Sequence, residues 1–182
     1  IIWDKDHIDF NLDFDQDSTP KNTNNFVRLQ SEIDFLNDST RIKILPTRIQ
    51  VLNKEWKVNP NNYTLTKGKE WSINNLELIH ETESIRLNGF VSEDPAQNLI
   101  LSLTNVNLDI LNTISSSGIG GVVNAKLDAK DLYKNVYLQN DLNLKDLVVD
   151  DFLIGTVLGS NIWNRDEKRF DINFTIDRLE KR

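Results

Sequence analysis

The sequence has no cysteine, which excludes disulfides, thiolate nucleophiles and cysteine-based zinc sites. It also has no methionine, and its first residues, Ile1, Ile2 and Trp3, already follow a strand-like pattern. We read residues 1–182 as a single segment of a longer protein. No run of ~18 apolar residues occurs, so no stretch is suited to cross a bilayer as a helix. Basic clusters are missing too: 21 Lys and Arg stand against 28 Asp and Glu, a net charge of −7. Phosphate binding needs clustered Lys and Arg, so nucleic acid is not expected as a partner, and an anionic membrane surface is disfavoured for the same reason. Hydrophobic residues make up 38%, a little under the roughly 45–50% usual for compact domains. That suits a thin shape with much surface per residue.

What the chain does have is period-two alternation. Ile8, Phe10, Leu12 and Phe14 alternate with Asp9, Asn11, Asp13 and Asp15. Val27, Leu29, Ser31, Ile33 and Phe35 form a second row, followed by Ile42 and Ile44, then Pro46, then Ile49 and Val51. Ile85, Leu87, Gly89 and Val91 form another row, and Ile119, Gly121, Val123, Ala125, Leu127 and Ala129 a long one. Phe170, Ile172, Phe174 and Ile176 close the series. Strict alternation predicts half-buried strands with one dry face and one wet face. The only helix-like stretch is short, Leu108 to Ile114. Turn-type breaks fall at Ser18-Thr19-Pro20, Asn59 to Asn62, Lys67-Gly68-Lys69, Glu93-Asp94-Pro95 and Ser115 to Gly118, which together predict an antiparallel meander.

A pattern recurs three times. Trp71 to Leu78 (WSINNLEL), Leu101 to Leu108 (LSLTNVNL) and Leu142 to Val149 (LNLKDLVV) each place apolar residues at alternate positions and flip parity at an Asn or Asp. A strand whose inward face changes parity needs one extra residue, which a β-bulge supplies. Asn and Asp tolerate the unusual dihedrals such a kink demands. Each copy is expected to mark one edge or corner of a recurring multi-strand unit.

The stretches WSINNLELIHETESIRLNGFVSED and SGIGGVVNAKLDAKDLYKNVYLQNDLNLKDLVVDDFLIGTVLGSNIWNRDEKRFDINFTIDR resemble, in their glycines and alternation, the TamB family of the wider AsmA-like group. The resemblance covers most of the chain, from Phe26 to Arg178. It implies an all-β fold, an elongated antiparallel sheet curled into an apolar groove of β-taco type. The location it implies is the periplasm, as part of an inner-membrane-anchored protein in outer-membrane biogenesis. The partners implied are phospholipid acyl chains, an Omp85-type outer-membrane barrel and nascent outer-membrane proteins, with no cofactor. The groove lining expected on this basis is Ile73, Leu76, Leu78, Ile85, Leu87, Leu101, Leu103, Val106, Leu108, Val123, Leu127, Leu142, Leu144, Leu147, Val149, Phe170, Ile172, Phe174 and Ile176. Such a lining needs apolar continuity rather than specific polar contacts, because an acyl chain gains ~0.8 kcal/mol for each CH2 leaving water. A β-sandwich or β-solenoid surface module that binds protein or glycan is the alternative, with the same alternation closed into a dry core.

Catalytic and metal readings are weaker. His80 lies beside Glu81 and Glu83, with Ser84 four residues on, but no Gly-x-Ser-x-Gly elbow accompanies them, so no enzyme is expected. His7 and His80 lack further ligands at metal spacing. Asp13, Asp15 and Asp17 match the first ligand offsets of a calcium loop, yet Ser18 and Asn24 replace its Gly and Glu. Their alternation with apolar residues favours a solvated strand face. Gly118-Ile119-Gly120-Gly121 lacks the Lys and Ser or Thr of a phosphate loop and opens a strand, where glycines serve a turn or a tight backbone approach. The scattered Trp3, Trp56, Trp71 and Trp163 are expected at the rim or in the core. Asn62-Tyr63-Thr64 has the form of a glycosylation acceptor.

Overall fold

The structure, a computed structural model, describes residues 2–4, 6–16, 25–113, 118–164 and 167–178. The alternating rows become strands of one antiparallel sheet, 14 strands among the described residues. They are β1 (Ile2–Asp4), β2 (His7–Gln16), β3 (Asn25–Phe35), β4 (Thr40–Ile44), β5 (Arg48–Val51), β6 (Lys54–Val58) and β7 (Tyr63–Lys67). The second half contains β8 (Glu70–His80), β9 (Glu83–Val91), β10 (Asn98–Asn107), β11 (Ile119–Lys130), β12 (Tyr137–Val149), β13 (Phe152–Asn164) and β14 (Arg169–Asp177). Between β10 and β11 the helix-like stretch forms a 3-10 turn, Leu108–Thr113. From β7 to β14 every strand pairs with its sequence neighbours, the meander that the turn spacing predicts. Of the expected breaks, Ser18 to Pro20 and most of Ser115 to Gly118 lie outside the described residues.

The first half departs from a plain meander. Strand β3 pairs through Ser31–Phe35 with β4 but through Phe26–Arg28 with β5. Strand β8 pairs near its start with β7 and near its end with β6. Thus β4 and β5 share one place in the sheet, interrupted around Pro46, and β6 and β7 share the next. Proline has no N–H to give a ladder, so a break there is the expected outcome. Side chains repair it. Asn62 Oδ1 accepts the Ile44 N–H at 2.9 Å, while its Nδ2 donates to the carbonyls of Ile44 (2.7 Å) and Asn59 (2.6 Å). Thr47 Oγ1 accepts the Gln30 N–H at 3.0 Å. Asn62 is buried and its amide is fully engaged, which corrects the glycosylation reading.

Burial is sparse. The buried hydrophobic residues are Trp56, Val58, Val106, Leu108, Val123 and Ala129, and Trp56 is the largest, 2% exposed. The accessible surface, 12380 Å2, exceeds the roughly 9,000 Å2 expected of a compact chain of this mass. One sheet with a thinly covered apolar side accounts for both observations.

Candidate functional site

The register aligns the apolar rows of successive strands side by side. One row crosses the sheet as Leu76, Leu87, Leu101, Leu127, Asn140, Asn161 and Ile172. The next runs Leu78, Ile85, Leu103, Ala125, Leu142, Gly159 and Phe174. A third runs Val106, Val123, Leu144, Val157 and Ile176. Ile73 lies opposite Gly89, Leu147 opposite Gly155, Val149 between Ile119 and Phe152, and Phe170 opposite Trp163. The register therefore brings every strand residue of the expected lining to one face. Leu108, expected to continue that row, instead begins the 3-10 turn and is buried.

The parity flips are bulges. The ladder slips between Ile73 and Leu76, between Leu103 and Val106, and between Leu144 and Leu147. Asn75, Asn105 and Asp146 stand at these slips with φ of 50°, 50° and 52°. Without the extra residue, every apolar side chain beyond it would turn to the wet face. The sequence pattern did not reveal what satisfies the bulge. The Asn75 N–H donates to Asn88 Oδ1 at 3.0 Å, and the Asn105 N–H to Asn124 Oδ1 at 2.9 Å, each acceptor coming from the facing strand. Opposite the third bulge stands Thr156. We expect Asn124→Ala to release the exposed Asn105 N–H to water and to cost about 0.5–1.5 kcal/mol, with faster hydrogen exchange at that amide; unchanged exchange would reject this capping role.

Packing on the apolar face is uneven. Val106, Leu108 and Val123 are surrounded by Ile85, Leu103, Ile110, Ile119, Ala125, Leu142, Leu144 and Leu147. These residues belong to β9 through β12 and to the 3-10 turn, none of them to the first eight strands. The turn thus covers one part of a face that the sequence had left without helical cover. Toward β14 the cover ends: Phe170, Ile172, Phe174 and Ile176 are 49%, 58%, 64% and 51% exposed. A hollow of ≈ 180 Å3 on this face is lined by Leu101, Leu103, Ala125, Leu127, Asn140, Leu142 and Asn161, with parts of Lys126 and Asp141. The larger hollow, ≈ 870 Å3, takes most of its lining from the polar face, including Lys126, Asp141, Asn143, Ser160 and Asn173. The smaller hollow is the one lined chiefly by residues of the apolar rows.

The polar groups serve the sheet. His7 Nδ1 lies 2.7 Å from Asp34 Oδ1 and its Nε2 3.0 Å from Asp9 Oδ1, while Arg41 donates to Asp34 at 2.8 and 3.0 Å. Hydrogen bonds donated to Asp34, then to Asp9, raise the His7 pKa above 6.5, and those received from His7, then Arg41, lower that of Asp34 below 3.8. The contribution of protonated His7 is therefore complete below 6.5 and lost as pH rises through its folded value. That of Asp34 is complete above 3.8 and lost as pH falls through its own. Titration followed by NMR should place the His7 midpoint above 6.5, and Asp34→Asn should bring it down; an unmoved midpoint would remove the cluster as the cause.

The remaining candidates do not assemble a reactive centre. His80, the last residue of β8, is half-buried, with its Nδ1 2.9 Å from the Glu55 carbonyl oxygen and its ring 5.7 Å from that of Trp56. Glu83 accepts from Lys54 Nζ at 2.5 Å and from the Asn107 N–H at 3.0 Å. Asp13 and Asp15 lie on strand β2, with Asp15 3.4 Å from Arg28; Asp17 is outside the described residues. The Gly118 N–H donates to Asp150 Oδ1 at 2.9 Å, and Gly121 abuts the carbonyls of Lys145 and Asp146 across the ladder, as a tight backbone approach. Trp71 is exposed and Trp163 packs on Phe170 at 4.8 Å, so the tryptophans divide between rim and core; the Trp3 side chain is outside the described set. Compared with known proteins, the chain matches no family model, no curated sequence and no solved structure.

Proposed function

We propose that this chain is a segment of a TamB-like, AsmA-like bridge protein, and that its apolar face shelters phospholipid acyl chains crossing the periplasm. In this reading the sheet curls along its length into a β-taco-like trough and belongs to an inner-membrane-anchored protein. It meets an Omp85-type barrel and nascent outer-membrane proteins at its outer-membrane end, and it performs no catalysis. The observation that carries the proposal is the alignment of apolar rows from β8 to β14 on a face that neighbouring strands cover only in part. Bulges bend their strands and increase local twist, so successive bulges across β8, β10 and β12 give the sheet a means to curl. A tail leaving water gains on the order of 10 kcal/mol of transfer preference for such a surface, without a specific polar contact. A sandwich or solenoid binding module would instead close an opposed layer over Phe170 to Ile176, side chains that are exposed here.

Photo-crosslinking from Leu103 and Leu144 in the full-length protein in Gram-negative cells, followed by lipid mass spectrometry, tests the proposal. Phospholipid adducts are expected at both positions, and none at Asn143 on the polar face. Adducts at neither apolar position would end it.

A further inference from the structure

Two amides interrupt an otherwise apolar row. Asn140 on β12 and Asn161 on β13 stand directly opposite each other, flanked in register by Leu127 and Ile172. Asn161 Nδ2 donates to Asn140 Oδ1 at 2.8 Å. That bond leaves the pair incomplete: Asn161 Oδ1 is sealed from solvent and has no partner among the described residues. A buried acceptor left unpaired costs free energy and calls for an explanation. Two valines or leucines would continue the row without that cost, so packing alone does not account for the pair.

Both amides border the ≈ 180 Å3 hollow, beside Leu101, Leu103, Leu127 and Leu142. Its volume is below the ~300–1,000 Å3 of pockets that enclose a whole small molecule. It therefore suits one end of a chain that continues across the open face. Small residues in the adjacent row, Ala125 and Gly159, leave room for that continuation.

We infer that the Asn140–Asn161 pair is a polar subsite on the apolar face that takes the hydroxyl head of a single-chain amphiphile. A hydroxyl both donates and accepts: once the Asn161 amide turns its sealed oxygen toward the hollow, the hydroxyl completes Oδ1 and receives a hydrogen from the Asn140 amide, while its chain lies along the leucines. An ether or an ionised carboxylate has no hydrogen for the Asn161 oxygen. The inference rests on the proposed acyl-chain reading and adds a head-group preference to it.

The test uses displacement of diphenylhexatriene, a probe without hydrogen-bonding groups, by 1-decanol, decyl methyl ether and decanoate. Decanol should displace it at about three- to tenfold lower concentration than the ether or the acid, the worth of one hydrogen bond. The double variant Asn140→Leu/Asn161→Leu should bind the probe and lose the preference, because it removes both amides together and leaves neither unpaired. Equal displacement by the three ligands of the unmodified protein would overturn the inference while leaving the acyl-chain reading intact, and so would a preference that persists in the folded double variant. Failure of the probe to bind the unmodified protein would overturn both.

Discussion

Replacing Gly89 by alanine is expected to destabilise the protein by at least about 3 kcal/mol. Two costs coincide at this position. The residue has φ of 122°, a conformation that L side chains rarely adopt. A Cβ placed there would stand 2.2 Å from the carbonyl oxygen of Asn98 and 3.1 Å from its carbon, both backbone atoms of the adjoining β10. Backbone cannot swing aside as a side chain tip can, so the ladder between β9 and β10 must part. Gly159 provides the comparison. It carries no positive φ, and its nearest neighbour to an added Cβ is Phe174 Cβ at 3.5 Å, an ordinary contact. Gly159→Ala should therefore be neutral, or stabilising by about 0.5 kcal/mol through the entropy of the unfolded chain. Urea unfolding followed by far-UV circular dichroism separates the two, and equal midpoints for both variants would contradict the steric argument.

Trp56→Ala should cost about 3–5 kcal/mol, as for other deletions of a fully buried large aromatic. Trp56 is 2% exposed and anchors the half of the sheet where β4 to β7 are broken, so little else can collapse into the space. Its indole Nε1 has no hydrogen-bond partner among the described residues. Truncation removes that unpaired donor together with the ring, which places the expected loss toward the lower end of the range. Trp56→Phe also removes the donor but keeps most of the buried area, so it should lose less than about 1.5 kcal/mol. A Phe variant as unstable as the Ala variant would contradict this packing account, since the unpaired N–H contributes no stability to lose.

Much of this architecture was legible because alternation is a local property. The rows around Leu87, Val123 and Phe174 announced strands, and the parity flips at Asn75, Asn105 and Asp146 announced bulges, since both signals lie within eight consecutive letters. Legibility ended where a partner lay far along the chain. Asn124 caps a bulge in the preceding strand, and Asn62 patches a ladder broken at Pro46. Each looked like an ordinary turn or strand polar residue. Asn140 and Asn161 were passed over for the same reason: they meet only once β12 and β13 are in register. Nor could alternation tell an open face from a closed one, because a strand in a two-layer core carries the same letters. The exposure of β14 required coordinates.

The glycines and bulges fall into an ordered sequence. Asn75, Gly89, Asn105, Gly121, Asp146 and Gly155 mark consecutive strands, alternating a left-handed Asn or Asp with a glycine near φ of 114–122°. Two strands therefore form one stitch, a kinked amide or acid followed by a flat glycine that lets the next strand close in. A fabric made of such stitches lengthens by duplication of hairpins: each added pair restores the direction of the chain and keeps the oily side where it was. A gain or loss of one strand would break the alternation.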